Sequence, residues 1–340
     1  MDGANRSPFR DWTALEICHV PPFVHKSVLL REVLEALQPD TGQLYVDGTV
    51  GGGGHASALL QAARPAARLV GLDRDEMALS AAAEKLSAFQ GRFELHHANY
   101  AEIERFVQQA SCDGVLLDLG VSSPQIDRAE RGFSFQQNGP LDMRMNQRDP
   151  VTAADIVNTW PEEELANLFW ELGEERASRR VASALMKRRA MRKFETTGEL
   201  AEAVAAIVGR GKQKIHPATR VFQALRMEVN RELDALEEGL ASAWAVLKPG
   251  GRLAVITFHS LEDRTVKEFG RGLERDYFVE GEVDVPELRV TKEPEARWVT
   301  RKPIVPGEEE IRDNPRARSA KLRVLEKLSA LLGGGGNEPS

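Results

Sequence analysis

The sequence predicts a doubly wound α/β protein interrupted by one large helical insertion, and three observations carry that expectation. Short β-rich runs alternate with helical patterns between Leu44 and Asp118. The alternation stops from about Asp127 to His216, where the periodicity is helical and no convincing strand occurs. A strand-like run, "RLAVITFHS", then returns near Arg252. Strands that alternate with helices form mostly parallel sheets covered on both faces.

Taken in order, "HKSVLLREVLEAL" (His25 to Leu37) spaces its apolar residues as a helix does, and Pro39 with Gly42 closes it. "QLYVDGTV" is a strand running into glycines, and "HASALLQAA" the helix after them. A second strand gives way to a helix between Asp73 and Asp75. "RFELHHANY" and "CDGVLLDLGVSSP" supply the third and fourth strands. Beyond the insertion, "TRVFQALRMEVNRELDALEEGLASAWAVL" is a long amphipathic helix and "KPGG" a turn. "SAKLRVLEKL" alternates well enough for a last strand but reads nearly as well as a helix. The domain expectation is therefore an extension over residues 1–24, a sheet domain over 25–126 and 217–328, an inserted helical domain over 127–216, and a disordered tail over 329–340.

The 340 residues, 42% apolar and 29% charged, have the composition of a soluble globular protein. A net charge of -7 argues against a surface that binds polyanions everywhere, so local basic stretches matter more than the total. Cys18 and Cys112 stand far apart with no zinc-like spacing, which fits a reducing cytoplasmic home and no metal centre. No membrane span or signal peptide is read, and the oligomeric state is left open, a homodimer included.

The stretch "DGTVGGGGHA" places four glycines between a strand and a helix, where backbone N–H groups face a ligand. Gly51, Gly53 and Ala56 satisfy a GxGxxA spacing, so a dinucleotide is weighed first. Asp47 argues against it: a carboxylate beside the turn repels a pyrophosphate and favours the cationic groups of S-adenosylmethionine. Asp73, 22 residues beyond Gly51, suits the two hydroxyls of a ribose. Asn99, Tyr100 and Asp118 fall at the carboxyl ends of the next strands, the edge where open α/β sheets bind ligands. Asp73 or Asp75 can equally be read as a helix cap, and His55 as a helix-start residue.

These segments, with "ERGFSFQQNGPLDMRM", "HPATRVFQALRMEVNREL", "LKPGGRLAVITFHSLEDR" and "RSAKLRVLEK", resemble the ribosomal RNA small subunit methyltransferase H family, also called MraW, from about His25 to Lys327. The resemblance implies a Rossmann-like class I methyltransferase. It also implies methyl transfer from S-adenosylmethionine to the exocyclic N4 of one cytidine in the decoding region of small-subunit (16S) ribosomal RNA. The partner is the RNA or the assembled small subunit. The family's cofactor positions fall on Gly53, Gly54, His55, Asp73, Tyr100, Asp118 and Gln125. Tyr100 stands where the family can carry phenylalanine, and the run of four glycines is a second mild departure.

"SSPQ" at Ser122 to Gln125 resembles, incompletely, the Pro-Pro-aromatic signature of amino-group methyltransferases. Ser122, Ser123 or Asp118 is expected to accept the target amine's N–H groups, and Phe133 or Phe135 to supply a stacking ring. The bland alternative is a helix start and two core phenylalanines. His259 is read either as a general base or as part of a helix start, with Ser260 and Asp263 resembling a capping box.

A target base must leave its stack to reach such a pocket, so RNA binding is a second requirement. Arg176, Arg179, Arg180, Lys187, Arg188, Arg189, Arg192 and Lys193 occur in an acid-free stretch, as do Arg210, Lys212, Lys214, Arg220 and Arg226. A third cluster comprises Arg312, Arg316, Arg318, Lys321 and Arg323. Each run is either a phosphate-binding surface or a solvated helix face. A dinucleotide oxidoreductase and a non-catalytic RNA-binding protein are the competing functions.

Overall fold

The computed structural model describes residues 27–209, 216–281 and 283–329. Helix α1 (Leu30–Leu37) leads into β1 (Leu44–Asp47), α2 (Gly54–Ala62), β2 (Arg68–Asp73), α3 (Glu76–Lys85), β3 (Phe93–His97) and β4 (Cys112–Asp118). A short helix α4 (Ser123–Asp127) follows. Then come α5 (Ala153–Thr159), α6 (Glu162–Glu171), α7 (Ser178–Met191), α8 (Thr197–Val208) and α9 (Thr219–Val229). The chain returns through α10 (Glu232–Val246), β5 (Leu247–Thr257) and α11 (Ser260–Glu274). It ends in β6 (Tyr277–Val279), β7 (Arg289–Thr291), β8 (Ala296–Trp298), α12 (Glu308–Asp313) and β9 (Lys321–Lys327).

Seven strands form one sheet in the order β3-β2-β1-β4-β5-β9-β8. The first five are mutually parallel, and β9 and β8 are antiparallel additions. The doubly wound α/β class read from the sequence is thus the class observed, and "SAKLRVLEKL" resolves as a strand. One face of the sheet packs a core with Leu29, Val33, Leu59 and Leu60, the other a core with Leu236, Leu240, Trp244 and Val266. Burial on both faces is what parallel strands need, since apolar area removed from water drives the packing.

Two expected elements differ in detail. Pairing between β4 and β5 jumps from Cys112↔Leu247 to Gly114↔Arg252, so "KPGG" is looped out within β5, with Gly250 at φ +80°. The long helix expected from Thr219 is two, α9 and α10. Asn230 turns its side chain to the Met145 amide and the Met143 carbonyl, and Arg231 takes a left-handed φ of +47°.

Helices α5 to α9 enclose an apolar core of their own, centred on Ile156, Leu165, Phe169, Val181, Leu185 and Phe222. Phe133 and Phe135 pack against it, Phe135 beside His216 and Phe222. The bland reading of these two rings describes their place.

Candidate functional site at the carboxyl edge of the sheet

A cavity of about 290 Å³ lies beyond the carboxyl ends of β1, β2 and β4. Its wall includes the glycine turn (Gly51, Gly52, Gly54), His55, Asp73, Tyr100, Asp118, Ser122, Ser123 and Gln125. Asp47, Gly53 and His259 are not part of the wall. Gly53 earns its place through conformation: it holds φ +76°, and a Cβ there would lie 3.2 Å from the Ala82 backbone. At Gly52 a Cβ would meet nothing within 4 Å, so the missing side chain leaves room for a ligand.

Asp73 ties the turn to the second strand. Its Oδ2 accepts from the Gly51 amide at 2.8 Å and its Oδ1 from the Asp75 amide at 2.8 Å. Asp75, not Asp73, caps α3, accepting from the Met77 amide at 3.0 Å. A carboxylate offers about four lone-pair sites, so Asp73 retains acceptor capacity toward the cavity.

Behind the turn sits a cluster of buried acids. Asp47 Oδ1 accepts from the Thr49 amide at 3.2 Å, whereas Asp47 Oδ2 and Asp118 Oδ1 are buried without a hydrogen-bond partner among the described residues. Burial pushes Asp47 up to about 7 despite the Thr49 amide, with Asp73 adding repulsion. Burial likewise pushes Asp118 up to about 8, reinforced by Asp47 and Glu262. Asp73 is raised too, burial outweighing its two amides. His55 stands beside this group. Its Nε2 lies 2.9 Å from the Val28 carbonyl, which can only accept, so Nε2 carries a proton and Nδ1 faces Asp118 Oδ2 at 3.7 Å.

The far side of the cavity holds residues that the sequence reading missed: Glu232, Glu262, Phe258, Arg131 and Met145. Glu232 receives the Arg226 guanidinium through two bonds of 2.8 Å. Glu262 accepts from the Phe258 amide at 2.8 Å and lies 3.0 Å from His259 Nε2. Burial alone would raise Glu262, but the hydrogen bond and charge of His259, with the charge of Arg226, hold it below the usual carboxylate range. The donors of Glu232, His259 and Glu262 lie close enough to share a cation, and Arg226 already supplies positive charge there. His259 is the N-cap of α11 with Glu262 closing the box; Asp263 instead binds Arg323 at 2.7 Å and Lys321 at 3.2 Å. The expected Ser260–Asp263 box is thus displaced by one residue, with His259 Nδ1 accepting from the Glu262 amide at 3.4 Å and Nε2 facing the carboxylate of Glu262, itself on the cavity wall.

Tyr100 reaches the wall because Gly239, inside α10, leaves space for it: a Cβ there would lie 2.2 Å from the ring. Burial and the nearby Glu232 and Glu262 raise its hydroxyl far above the usual range. Ser122 caps α4, its amide donating to Gln125 Oε1 at 3.0 Å, and Gln125 Nε2 donates to Asp75 Oδ2 at 3.1 Å. The aromatic rings on the wall are Tyr100 and Phe258, while Phe133 and Phe135 are not part of it.

The MraW methylase family matches residues 22–328. The chain belongs to that family. A ribosomal RNA small subunit methyltransferase H of Carboxydothermus hydrogenoformans is 51% identical, covering 90% of this chain and 99% of the relative. A protein of the same name from Geobacter sp. (strain M21) is 50% identical with the same coverage. The sheet is doubly wound and mostly parallel, and the group to test against the cavity is the S-adenosylmethionine that the family resemblance implies. The cavity suits that group: an open glycine turn, a carboxylate with spare acceptors at the end of β2, and at Asp118 an acid whose ionisation a nearby cation would favour. Among the described residues no helix is long and apolar enough to cross a membrane.

The expected RNA-binding residues divide. Arg179, Arg180, Lys187, Arg192 and Lys193 are exposed, and Arg188 and Arg189 half-buried, on or just beyond α7. Arg189 donates to the Val157 carbonyl, Arg188 to the Arg192 carbonyl, Arg179 to Asn167, and Arg192 pairs with Glu199. Among the described residues Arg180, Lys187 and Lys193 have no ion-pair partner. Lys212 and Lys214, with Arg210, lie outside the described residues. Arg226 is spent on Glu232, Arg316 binds Asp127, and Lys321 and Arg323 bind Asp263. The third cluster is thus largely neutralised.

Proposed function

We propose that the protein transfers a methyl group from S-adenosylmethionine to the exocyclic N4 of a cytidine in the decoding region of small-subunit ribosomal RNA, in the cytoplasm. The observation that supports this best is that the glycine turn and the Asp118–Gln125 turn wall one cavity. One side of that cavity offers what an adenosine cofactor needs, and the other offers acceptors for an amine. The relatives' name adds the RNA.

Bound S-adenosylmethionine supplies an activated methyl on a good leaving group, so no covalent nucleophile is required of the chain. The glycine turn, His55, Asp73, Tyr100 and Gln125 would hold the cofactor, with Asp47 and Gly53 acting from behind the wall. Asp118, Ser122 and Ser123 are the acceptors that can draw on an N–H group as positive charge develops, and Phe258 offers an apolar ring beside them. A cytosine amine is a weak nucleophile, so alignment of the reacting atoms is the larger part of the task. Residues 127–216 form the RNA-binding insertion in this reading, through the exposed basic side of α7.

Incubation with labelled cofactor and unmodified small-subunit RNA or small subunits, followed by nucleoside digestion, tests the reading. Label in N4-methylcytidine at a single position is expected. Label in another nucleoside overturns the target, and no transfer to RNA or subunit overturns catalysis.

A further inference from the structure

Resting on the proposed function, we infer that Arg131 is a positioning residue that makes cofactor and RNA binding cooperative. Arg131 lies at the start of an irregular segment, residues 132–152, that joins the sheet edge to α5. Its side chain is 3% exposed, and the residue forms part of the cavity wall. Nη1 donates to Asp75 Oδ2 at 2.6 Å, while Nη2 donates to the carbonyls of Arg144 at 3.0 Å and Met145 at 2.9 Å. One guanidinium therefore joins the α3 cap, two residues from Asp73, to the far part of the segment.

The connection continues into the helical region. The Met145 amide donates to Asn230 Oδ1 at 2.7 Å, and Asn230 Nδ2 donates to the Met143 carbonyl at 2.8 Å. Asn230 ends α9, whose Val221, Phe222 and Leu225 belong to the core that α5 to α9 enclose, so the helical region runs past His216 into the part expected to belong to the sheet domain. From the sheet side, Arg74 donates to the Asn230 carbonyl at 2.7 Å. Met145 is itself part of the cavity wall. A ligand in the cavity therefore touches a wall whose position is shared with the insertion.

The arrangement is costly as packing alone. A buried guanidinium is expensive, Arg131 Nε has no hydrogen-bond partner among the described residues, and an apolar side chain would fill such a space at less cost. What the guanidinium adds is a fixed distance between Asp75 and the Arg144–Met145 backbone, through a rigid fork that lysine lacks. With the wall docked, the cofactor meets a complete cavity and the insertion holds one orientation. With the wall loose, neither condition holds. A ligand that binds one of two states better shifts the equilibrium toward it, and the coupling is reciprocal.

The test measures the affinity of unmodified small-subunit RNA with and without saturating S-adenosylhomocysteine, for the wild-type protein and for Arg131→Gln. Wild-type RNA affinity is expected to rise on the order of 10-fold with S-adenosylhomocysteine, within the usual range of such couplings. In Arg131→Gln the ratio is expected to fall below about twofold although each ligand still binds alone. Independent binding in the wild-type protein, or a full ratio in the variant, overturns the inference and leaves the proposed function standing. Failure of the wild-type protein to bind either ligand overturns both. Should Arg131→Gln not fold, amide exchange in the wild-type protein decides: slower exchange over residues 132–150 with S-adenosylhomocysteine supports the coupling, and unchanged exchange refutes it.

Discussion

The cavity and the basic side of α7 are both concentrations of charge, yet they are built oppositely. In the cavity the acids come from five separate elements, brought together by strand register and helix starts, and Asp118, like Asp47 behind the wall, keeps an oxygen with no hydrogen-bond partner among the described residues. On α7 the cations come from one continuous stretch and lie at the surface, where Arg188 and Arg189 rest on carbonyls and Arg192 on a glutamate. Buried unpaired charge is expensive, exposed charge is cheap, and only the expensive kind is strong testimony of a ligand. The contrast teaches that charge density along a sequence is a poor measure of functional charge.

The largest effect expected from this contrast concerns the compensated part of the cavity. Arg226→Met leaves Glu232 buried without its fork, and removal of one partner of such a pair costs about 3–5 kcal/mol. Chemical denaturation should show that loss, with most of it recovered in Arg226→Met/Glu232→Leu. A loss below about 1 kcal/mol would mean that the pair is as cheap as a surface one, and the contrast would fail on this side.

A smaller effect follows from the uncompensated acids. Asp47 and Asp118 titrate higher in the folded protein than in the unfolded chain, so the folded state holds more protons between about pH 4 and about pH 8. Their contribution to stability is full below the unfolded value and is lost as pH rises through the folded values. The groups facing them are Asp73, His55 and Glu262. Asp47→Asn removes one of the two protons, so its stability should fall less steeply with pH. Each proton accounts for at most about 1.4 kcal/mol per pH unit. Urea midpoints from pH 5.5 to 8.5 measure this. The variant should gain on the wild-type protein up to about pH 7 and level off above it, and parallel curves throughout would show that Asp47 is ionised over the whole range.

How far the sequence disclosed these features depends on how local they are. The glycine turn, Asp73 and the Asp118–Gln125 turn were legible because strand ends and turn residues are local signals, and a doubly wound sheet lines up its strand ends at one edge. Glu232 and Glu262 were not, because each follows a helix start that looks like ordinary capping, and only the packing of α10 and α11 beside β4 and β5 turns them inward. Gly239 in "EEGLAS" was the one available sign, a glycine inside a strong helical pattern that marks a close approach, here of Tyr100. The break between α9 and α10 was hidden for a similar reason: Asn230 is capped by partners 85 and 87 residues away. Acid-free runs were legible as composition but not as surface, since Arg226 is taken by Glu232 six residues on.

The smallest effects belong to the exposed side of α7, and the structure chooses which residues to test there. Reversing Arg188, Arg189 and Arg192 would break contacts with the Arg192 and Val157 carbonyls and with Glu199, so weaker RNA binding could come from a disturbed helix end. Arg180, Lys187 and Lys193 avoid that ambiguity because no ion pair among the described residues depends on them. Each changed singly to glutamine should weaken binding of small-subunit RNA by less than about 1 kcal/mol at moderate salt, independently of sequence, and lower the dependence of log affinity on log salt by about one for each phosphate no longer neutralised. Cofactor affinity should not move. An unchanged salt slope in all three would mean that this side of α7 is a solvated helix face, and RNA contact would then have to be sought on Arg220 and around the cavity mouth near Arg128, both exposed.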